Sequence, residues 1–384
     1  MATSGGETGL SAWSSTALVR SVGCTFRSYE PSDEASTLRL LRRALGETPA
    51  TRRTSDFWRW KHFENPFGES FLRVACDADG EVVGLRAFMR WQLDVDGRRV
   101  PAVQAVDTAT DPAYRRRGVF SELTRQSVEE VRRAGISIIF NTPNATSRPG
   151  YQKLGWHDVG TVTPLVLVAN RARFAVRILA SGLGIRSHDD GPRTRSDGTG
   201  SASRVLTEDP GSLVELVRGA NAESEGKLVT RRSLDYLRWR YALHPNLAYE
   251  SSIVTQRGHP AGATIVRINN RFGLRELLLS EIFVAQKEPT LLSNLIDRLR
   301  ERYRPDYLVA YAPRGSSLRT ALRRCGFIAP PDRIVNGSLE SRHLRWPEHQ
   351  KPRRLMINVL SWDPSADPFR LENWGLSAGD IEVF

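Results

Sequence analysis

The chain has 384 residues, 40% hydrophobic and 26% charged, the balance of a soluble globular protein with room for two domains. No apolar run approaches a bilayer span, no basic start followed by an apolar block marks a secretory signal, and Cys24, Cys76 and Cys325 are odd in number and scattered, so a cytoplasmic protein with no metal site and no membrane insertion is expected. The formal net charge of +12 is almost wholly arginine, since the only lysines are Lys61, Lys153, Lys227, Lys287 and Lys351; such a surface can steer a polyanion, but no module that reads a specific nucleic acid is present.

Residues 1–23 lack periodicity and are expected to form a disordered tail. Arg27-Ser28-Tyr29-Glu30-Pro31 leads into a helical stretch. Asp56-Phe57-Trp58-Arg59-Trp60-Lys61 follows, a dense aromatic segment, and Gly80-Glu81-Val82-Val83-Gly84 turns between two strands. From Asp107 to Trp156 the pattern is strand, turn, amphipathic helix, strand, loop and helix. Val119, Phe120, Leu123, Val128 and Val131 recur at helical spacing among charged residues, and Ala134-Gly135 stops the helix. Arg115-Arg116-Arg117-Gly118 stands where that helix begins. Its first turn presents unpartnered amides, the macrodipole favours an anion there, and Gly118 has no side chain to hold a phosphate away. Arg115, Arg116, Arg117, Gly118, Val119 and Phe120 therefore read as a pyrophosphate cradle.

A polar, Gly- and Pro-rich stretch at 186–202 reads as a flexible linker between units 24–185 and 203–384. The second unit echoes the first. Asp56-Phe57-Trp58-Arg59-Trp60-Lys61 then Pro66 recurs as Asp235-Tyr236-Leu237-Arg238-Trp239-Arg240 then Pro245, an offset of 179. Gly84 has its echo in Gly262, Asp107 in Glu281, and Leu154-Gly155-Trp156 in Cys325-Gly326-Phe327. A period of domain size predicts a duplicated fold. Aromatic residues retained in both copies read as folding elements, whereas Asn65-Pro66-Phe67-Gly68 occurs only in the first and could line a cleft.

The Arg115–Phe120 corner resembles motif A of the GNAT superfamily of acyl-CoA-dependent N-acyltransferases, (Gln/Arg)-x-x-Gly-x-(Gly/Ala). Arg115, Gly118 and the flanking Thr110-Asp111-Pro112-Ala113-Tyr114 match it, and Phe120 departs at the last position, where a bulky ring would narrow the bowl of amides or tilt the pantetheine. Tyr151-Gln152-Lys153-Leu154-Gly155-Trp156 resembles the family's Tyr-x-x-x-Gly-(Phe/Trp) segment. The resemblance implies an α/β fold (an α+β mixed sheet with flanking helices) in two tandem GNAT-like domains. It implies transfer of an acyl group, acetyl first, from acetyl-CoA or another acyl-CoA as co-substrate to a primary amine of a small molecule. The combination of Val106 to Pro112, Arg115 to Phe120, Pro143-Asn144, Ser147 and Leu154-Gly155-Trp156, together with the segment Trp374 to Asp380, resembles GNAT-like proteins of polysaccharide and sugar-derivative biosynthesis, which makes an amino sugar the first acceptor considered. Oligomeric state stays open.

In that family the two central strands splay and the thioester lies between them, here 103–110 and 136–141. The resemblance places Thr108, Ala109 and Thr110 against the thioester and pantetheine through their backbone. It makes Tyr151 the candidate acid for the departing thiolate, since a phenol is protonated at neutral pH; the alternative is a ring packed on its helix. Asn144 and Ser147 are candidate coenzyme A contacts, or a loop brace and a helix cap. Asp107 is the candidate base, or a structural acid, since Glu281 keeps an acid in the second copy. That copy has no glycine between Val284 and Pro289 and carries Leu322 at the place of Tyr151, so it is expected to be degenerate. His62, His157 and His244 are scattered and do not read as catalytic. Two rival readings remain: an aminoacyl transferase using charged tRNA, and a noncatalytic acyl-CoA-binding protein.

Overall fold

The computed structural model describes residues 23–182, 191–192, 201–208, 210–222, 226–271, 273–284, 289–329 and 353–381. The expected N-terminal tail up to residue 22, most of the expected linker, and the 285–288 segment of the second copy lie outside them. Strand β1 (Thr25–Ser28) leads to helices α1 (Glu34–Leu45) and α2 (Ser55–His62), the latter capped by Thr54, whose hydroxyl accepts from the Phe57 amide. Strands β2 (Phe71–Cys76), β3 (Val82–Val95) and β4 (Arg98–Thr110) form an antiparallel meander. Helix α3 (Val119–Arg133), β5 (Ile138–Asn141), α4 (Arg148–Lys153), β6 (His157–Val162) and β7 (Leu165–Val168) complete the first half. Next in the chain come α5 (Arg171–Gly182), the two-residue β8 (Gly191–Pro192), α6 (Ser201–Glu208), α7 (Gly211–Ala222), β9 (Val229–Thr230) and α8 (Leu234–Leu237). They are followed by β10 (Glu250–Gln256), β11 (His259–Arg271), β12 (Leu274–Val284), α9 (Pro289–Tyr303), β13 (Tyr307–Ala310), α10 (Ser317–Arg324), β14 (Arg353–Val359) and α11 (Ala378–Ile381).

The result is the expected mixed α/β fold, with helices flanking two mixed sheets. One sheet runs β1-β2-β3-β4-β5-β14-β6, the other β10-β11-β12-β13-β7. In each, one central pair is parallel: β4 with β5, and β12 with β13. A parallel pair cannot be closed by a tight turn, and α3 and α9 supply the two crossovers.

The sheets interlock by exchanging strands. β14, from the far end of the chain, lies between β5 and β6 and is antiparallel to both. β7, from the first half, completes the second sheet against β13. Only Thr163 and Pro164 separate β6 from β7, yet those strands belong to different sheets. A cut at 186–202 therefore does not separate the two sheets.

The two halves also meet through indoles. Trp60 Nε1 donates to the Trp239 carbonyl at 2.8 Å, and Trp239 Nε1 donates to the Trp60 carbonyl at 2.7 Å. The rings stack with centroids 5.0 Å apart. One apolar cluster runs through this contact, from Leu41, Leu85 and Phe140 on one side to Ile265, Phe283 and Trp374 on the other.

Two features open the first sheet for a site. Pairing of β4 with β5 spans Ala102↔Ile138 to Gln104↔Phe140, after which β4 runs on to Thr110 and the strands diverge. Against β3, the register passes from Leu85↔Ala109 to Ala87↔Val106, so Asp107 and Thr108 both face Arg86 in a β-bulge. Gly84 lets α3 approach: a Cβ there would stand 2.6 Å from Val119 Cγ1.

Removing β14 tests the interlock. A chain ending at residue 182 leaves β5 and β6 without the strand between them. It is expected to show no cooperative thermal transition by circular dichroism, whereas the full chain melts cooperatively.

Candidate functional site

The cradle predicted at the β4–α3 corner is built as a curl of backbone. Arg116 has φ +61° and Gly118 φ +87°, both left-handed, with Gly118 at the N-cap of α3. Nothing lies within 4 Å of the position a Cβ would take on Gly118, so the space beside this residue at the helix start is open. Arg115, Arg116, Arg117 and Gly118 are all exposed, while Val119 is buried against Gly84. Arg117 lies over the Tyr114 ring at 5.1 Å, and Arg115 Nε reaches the Thr110 carbonyl at 3.4 Å. An exposed run of arginines around unpaired amides at a helix start is suited to a polyphosphate.

Phe120 is half-buried at the start of α3. Its ring turns toward α4, where a Cβ on Gly150 would meet Phe120 Cε1 at 3.0 Å, and sits edge-on to Tyr151 at 5.5 Å. Gly150 makes room for it.

Tyr151 is buried, its ring between Phe120 and Trp156. Its hydroxyl oxygen accepts from Arg86 Nη1 at 2.8 Å, and the Thr108 hydroxyl lies 3.5 Å away. Arg86 Nη1 also donates to Thr108 Oγ1 at 2.7 Å. Tyr151 from α4, Thr108 from the bulge and Arg86 from β3 thus form one cluster beside the diverging strands. Ala109 is buried and Thr110 half-buried on the same strand.

Asn144 and Ser147 lie at the other end of α4. Ser147 stands at the N-cap, but its hydroxyl does not cap the helix. It donates to Asn144 Oδ1 at 3.0 Å, and the same oxygen accepts the Ser147 amide at 2.9 Å. Asn144 is exposed and braces the loop.

Asp107 has φ +42°, a left-handed conformation that aspartate tolerates better than most residues. The curl turns its carboxylate inward, onto Lys61 Nζ at 2.6 Å, Arg53 Nη1 at 2.7 Å and His62 Nε2 at 3.2 Å. Burial works against its ionisation, and Lys61 and Arg53 outweigh that, holding the carboxyl well below the usual carboxylate range. Burial pushes His62 down to about 4 despite its bond to Asp107, so the ring is neutral at pH 7. Its Nε2–H then donates to Asp107, and Nδ1, 3.0 Å from Ser70 Oγ, accepts from that hydroxyl. An anion with three partners and a depressed pKa is a poor proton acceptor; the arrangement ties α2 to β4.

The second sheet holds a counterpart of this cluster. Glu281 on β12 meets Arg232 at 3.2 Å and accepts from the Tyr241 hydroxyl at 2.7 Å. The offset of 179 carries Arg53 to Arg232, Lys61 to Arg240 and His62 to Tyr241. Here the chain's own C-terminal segment fills the neighbouring space. Asp380 pairs with Arg232 at 2.6 Å, Ser377 Oγ donates to Glu281, and the Asp380 carbonyl accepts from Gln104 on β4 at 2.9 Å. A Cβ on Gly379 would stand 2.3 Å from the Tyr241 hydroxyl.

Arg86, Arg53 and Lys61 were not singled out from the sequence. Arg86 carried a signal, being the lone charge in the apolar run 82–89, where a strand buried on both faces admits none without a reason.

With this geometry in view, residues 25–159 match the family model for an acetyltransferase (GNAT) domain. The matched stretch carries β1 to β5 and α1 to α4, and the GNAT acetyltransferase domain it matches is a class whose reaction is acyl transfer. The fold is similar to a GCN5-related N-acetyltransferase from Anabaena variabilis, with a TM-score of 0.57 and 14% identity over 88% of this chain and 73% of that one. It is also similar to a conserved protein from Enterococcus faecalis V583 described as a probable N-acyltransferase, with a TM-score of 0.56 and 12% identity over the same shares. At such identities the likeness is one of fold. No curated protein matches the chain significantly. No helix among the described residues is long and apolar enough to cross a membrane.

The Asp107 cluster has consequences for stability. Asp107→Asn leaves Lys61 and Arg53 buried without their anion and is expected to cost about 3–5 kcal/mol in urea unfolding. The wild-type chain should also lose stability in acid in two windows. Between pH 6.5 and about 4 the unfolded chain binds a proton at His62 that the folded chain excludes. Below about pH 4 Asp107 follows, because its contribution is complete above the ordinary carboxylate range and is lost as the pH falls toward its depressed folded value. In His62→Gln the melting temperature should fall less steeply with pH across the first window.

Proposed function

We propose that the protein transfers an acyl group, acetyl first, from acyl-CoA to the primary amine of a small molecule. The observation that carries this reading is the conjunction at one corner of the first sheet. An open curl of amides at Gly118 adjoins strands that diverge beyond Gln104 and Phe140, and the Tyr151 hydroxyl is buried beside the gap. In this reading Arg115, Arg116, Arg117 and the amides of Gly118, Val119 and Phe120 hold the pyrophosphate. The backbone of Thr108, Ala109 and Thr110 lines the thioester arm, and Asn144 and Ser147 border it. Tyr151 donates a proton to the departing thiolate. Asp107 is read as the anchor of α2, because its carboxylate is already engaged with three donors.

We further propose that the two sheets descend from one duplicated unit and that the second has no donor site. The shared central topology, the reciprocal Trp60 and Trp239 bonds and the paired acid clusters support the duplication. Leu322 at the place of Tyr151 supports the loss. An amino sugar is the first acceptor to try; a fold alone names no substrate.

Titration calorimetry with acetyl-CoA tests the donor assignment. One site is expected in the wild type, and none in Gly118→Trp, where a side chain at φ +87° would fill the curl. Absence of binding of acetyl-CoA or longer acyl-CoAs by the wild type would move the reading of an aminoacyl transferase using charged tRNA to the front. Tyr151→Phe is expected to keep acetyl-CoA affinity and lose about 100-fold or more in turnover, on the scale of a general acid; unchanged turnover would rule out the acid role.

A further inference from the structure

Among the described residues Arg86 is a buried cation without an anion. Its relative exposure is 0%, Nε and Nη2 have no hydrogen-bond partner, and no carboxylate among the described residues is paired with it. Its charge is met by aromatic faces: the guanidinium carbon lies 4.5 Å from the Phe88 ring centroid, 5.0 Å from Tyr151, 5.7 Å from Phe120 and 6.0 Å from Trp156. An arginine kept for stability would have a carboxylate, since an unpaired buried charge is costly and a hydrophobic residue of similar volume serves a core better.

The cation is spent instead on two hydroxyls, Thr108 and Tyr151. By accepting from Nη1, the phenol oxygen gives up a lone pair and leaves its own O–H to be directed elsewhere. The second sheet lacks the whole arrangement. Pairing Gly84↔Thr110 corresponds to Gly262↔Val284, which sets Thr264 at the place of Arg86 and Ile282 at the place of Thr108, with Leu322 for Tyr151. The acid cluster is retained in both sheets; this triad is present in one.

We propose that Arg86 is the positioning residue and charge partner of Tyr151 in acyl transfer, an inference that rests on the acid role proposed above. When the tetrahedral adduct collapses, the C–S bond breaks and its electron pair goes to sulfur. The Tyr151 proton moves to that sulfur, and the negative charge left on the phenol oxygen is met by the Arg86 guanidinium. The proton lost by the attacking amine returns to the phenolate through solvent, which closes the cycle. In a dry site a fixed cation beside the donor oxygen is worth more than in water.

The test is a double-mutant cycle in the full chain, with acetyl-CoA as donor and, as acceptor, hydroxylamine or an amine found by screening. Arg86→Met is expected to lower turnover about 10- to 100-fold, with acetyl-CoA affinity unchanged and a melting temperature no lower than wild type. In the Tyr151→Phe background the same change should cost nothing further. Arg86→Lys, which keeps the charge but not the planar fork, should recover some of the rate and carries the cycle if the methionine variant does not fold. An equal loss in both backgrounds, or a loss of turnover that tracks a loss of folded protein, overturns the positioning role and leaves the acid role standing. Full activity of Tyr151→Phe, or no transfer by the wild type to any amine, overturns both.

Discussion

The carboxylate of Asp107, turned inward by one left-handed residue, is the constraint on which the first half of the molecule depends. The bulge that curls Asp107 also aims Thr108 toward Tyr151 and lets β4 diverge from β5. The same curl buries an anion that Lys61, Arg53 and His62 must satisfy, fixing α2 on the sheet. A buried charge of this kind adds little net stability against an apolar alternative, but breaking it strands its partners. It therefore holds the strand in an irregular shape that ordinary β-pairing would remove.

The second constraint is the interlock. The first sheet takes β14 and the short β9 from the second half of the chain, the second sheet takes β7 from the first, and Trp60 and Trp239 exchange indole hydrogen bonds at the centre. Burial of Trp60 and Trp239 removes both apolar surface and two N–H groups that need acceptors, and each finds one on the other's backbone. The halves are thus not beads on a linker. The second sheet's acid cluster is enclosed by the chain's own residues 377–380, so its space is filled with backbone and side chains.

Much of the fold was legible because it is written in local periodicity. The run from Val119 to Val131 is helical by spacing, and the structure has a helix from Val119 to Arg133. Gly118 was singled out for its missing side chain, while its left-handed conformation, and that of Arg116, came only with the structure. The direction of the Phe120 ring was not legible, because it depends on the room left by Gly150, distant in the chain and adjacent in space. Ser147 occupies the predicted cap position, yet its hydroxyl is committed to Asn144.

By itself the sequence determined the mixed α/β class, the order of the main elements, the helix that starts after Gly118 and the tyrosine helix, since these follow from residue spacing and from the helix start and stop signals. Only the tertiary structure decided what the charges do. Whether Asp107 accepts a proton or anchors a helix turns on Lys61, Arg53 and His62 brought within 3.2 Å by folding. Whether Arg86 is a surface charge or the partner of Tyr151 turns on its burial among four rings. Strand exchange is of the same kind: β14 and β5 lie far apart in the chain, and backbone pairing over that distance carries no local pattern to read.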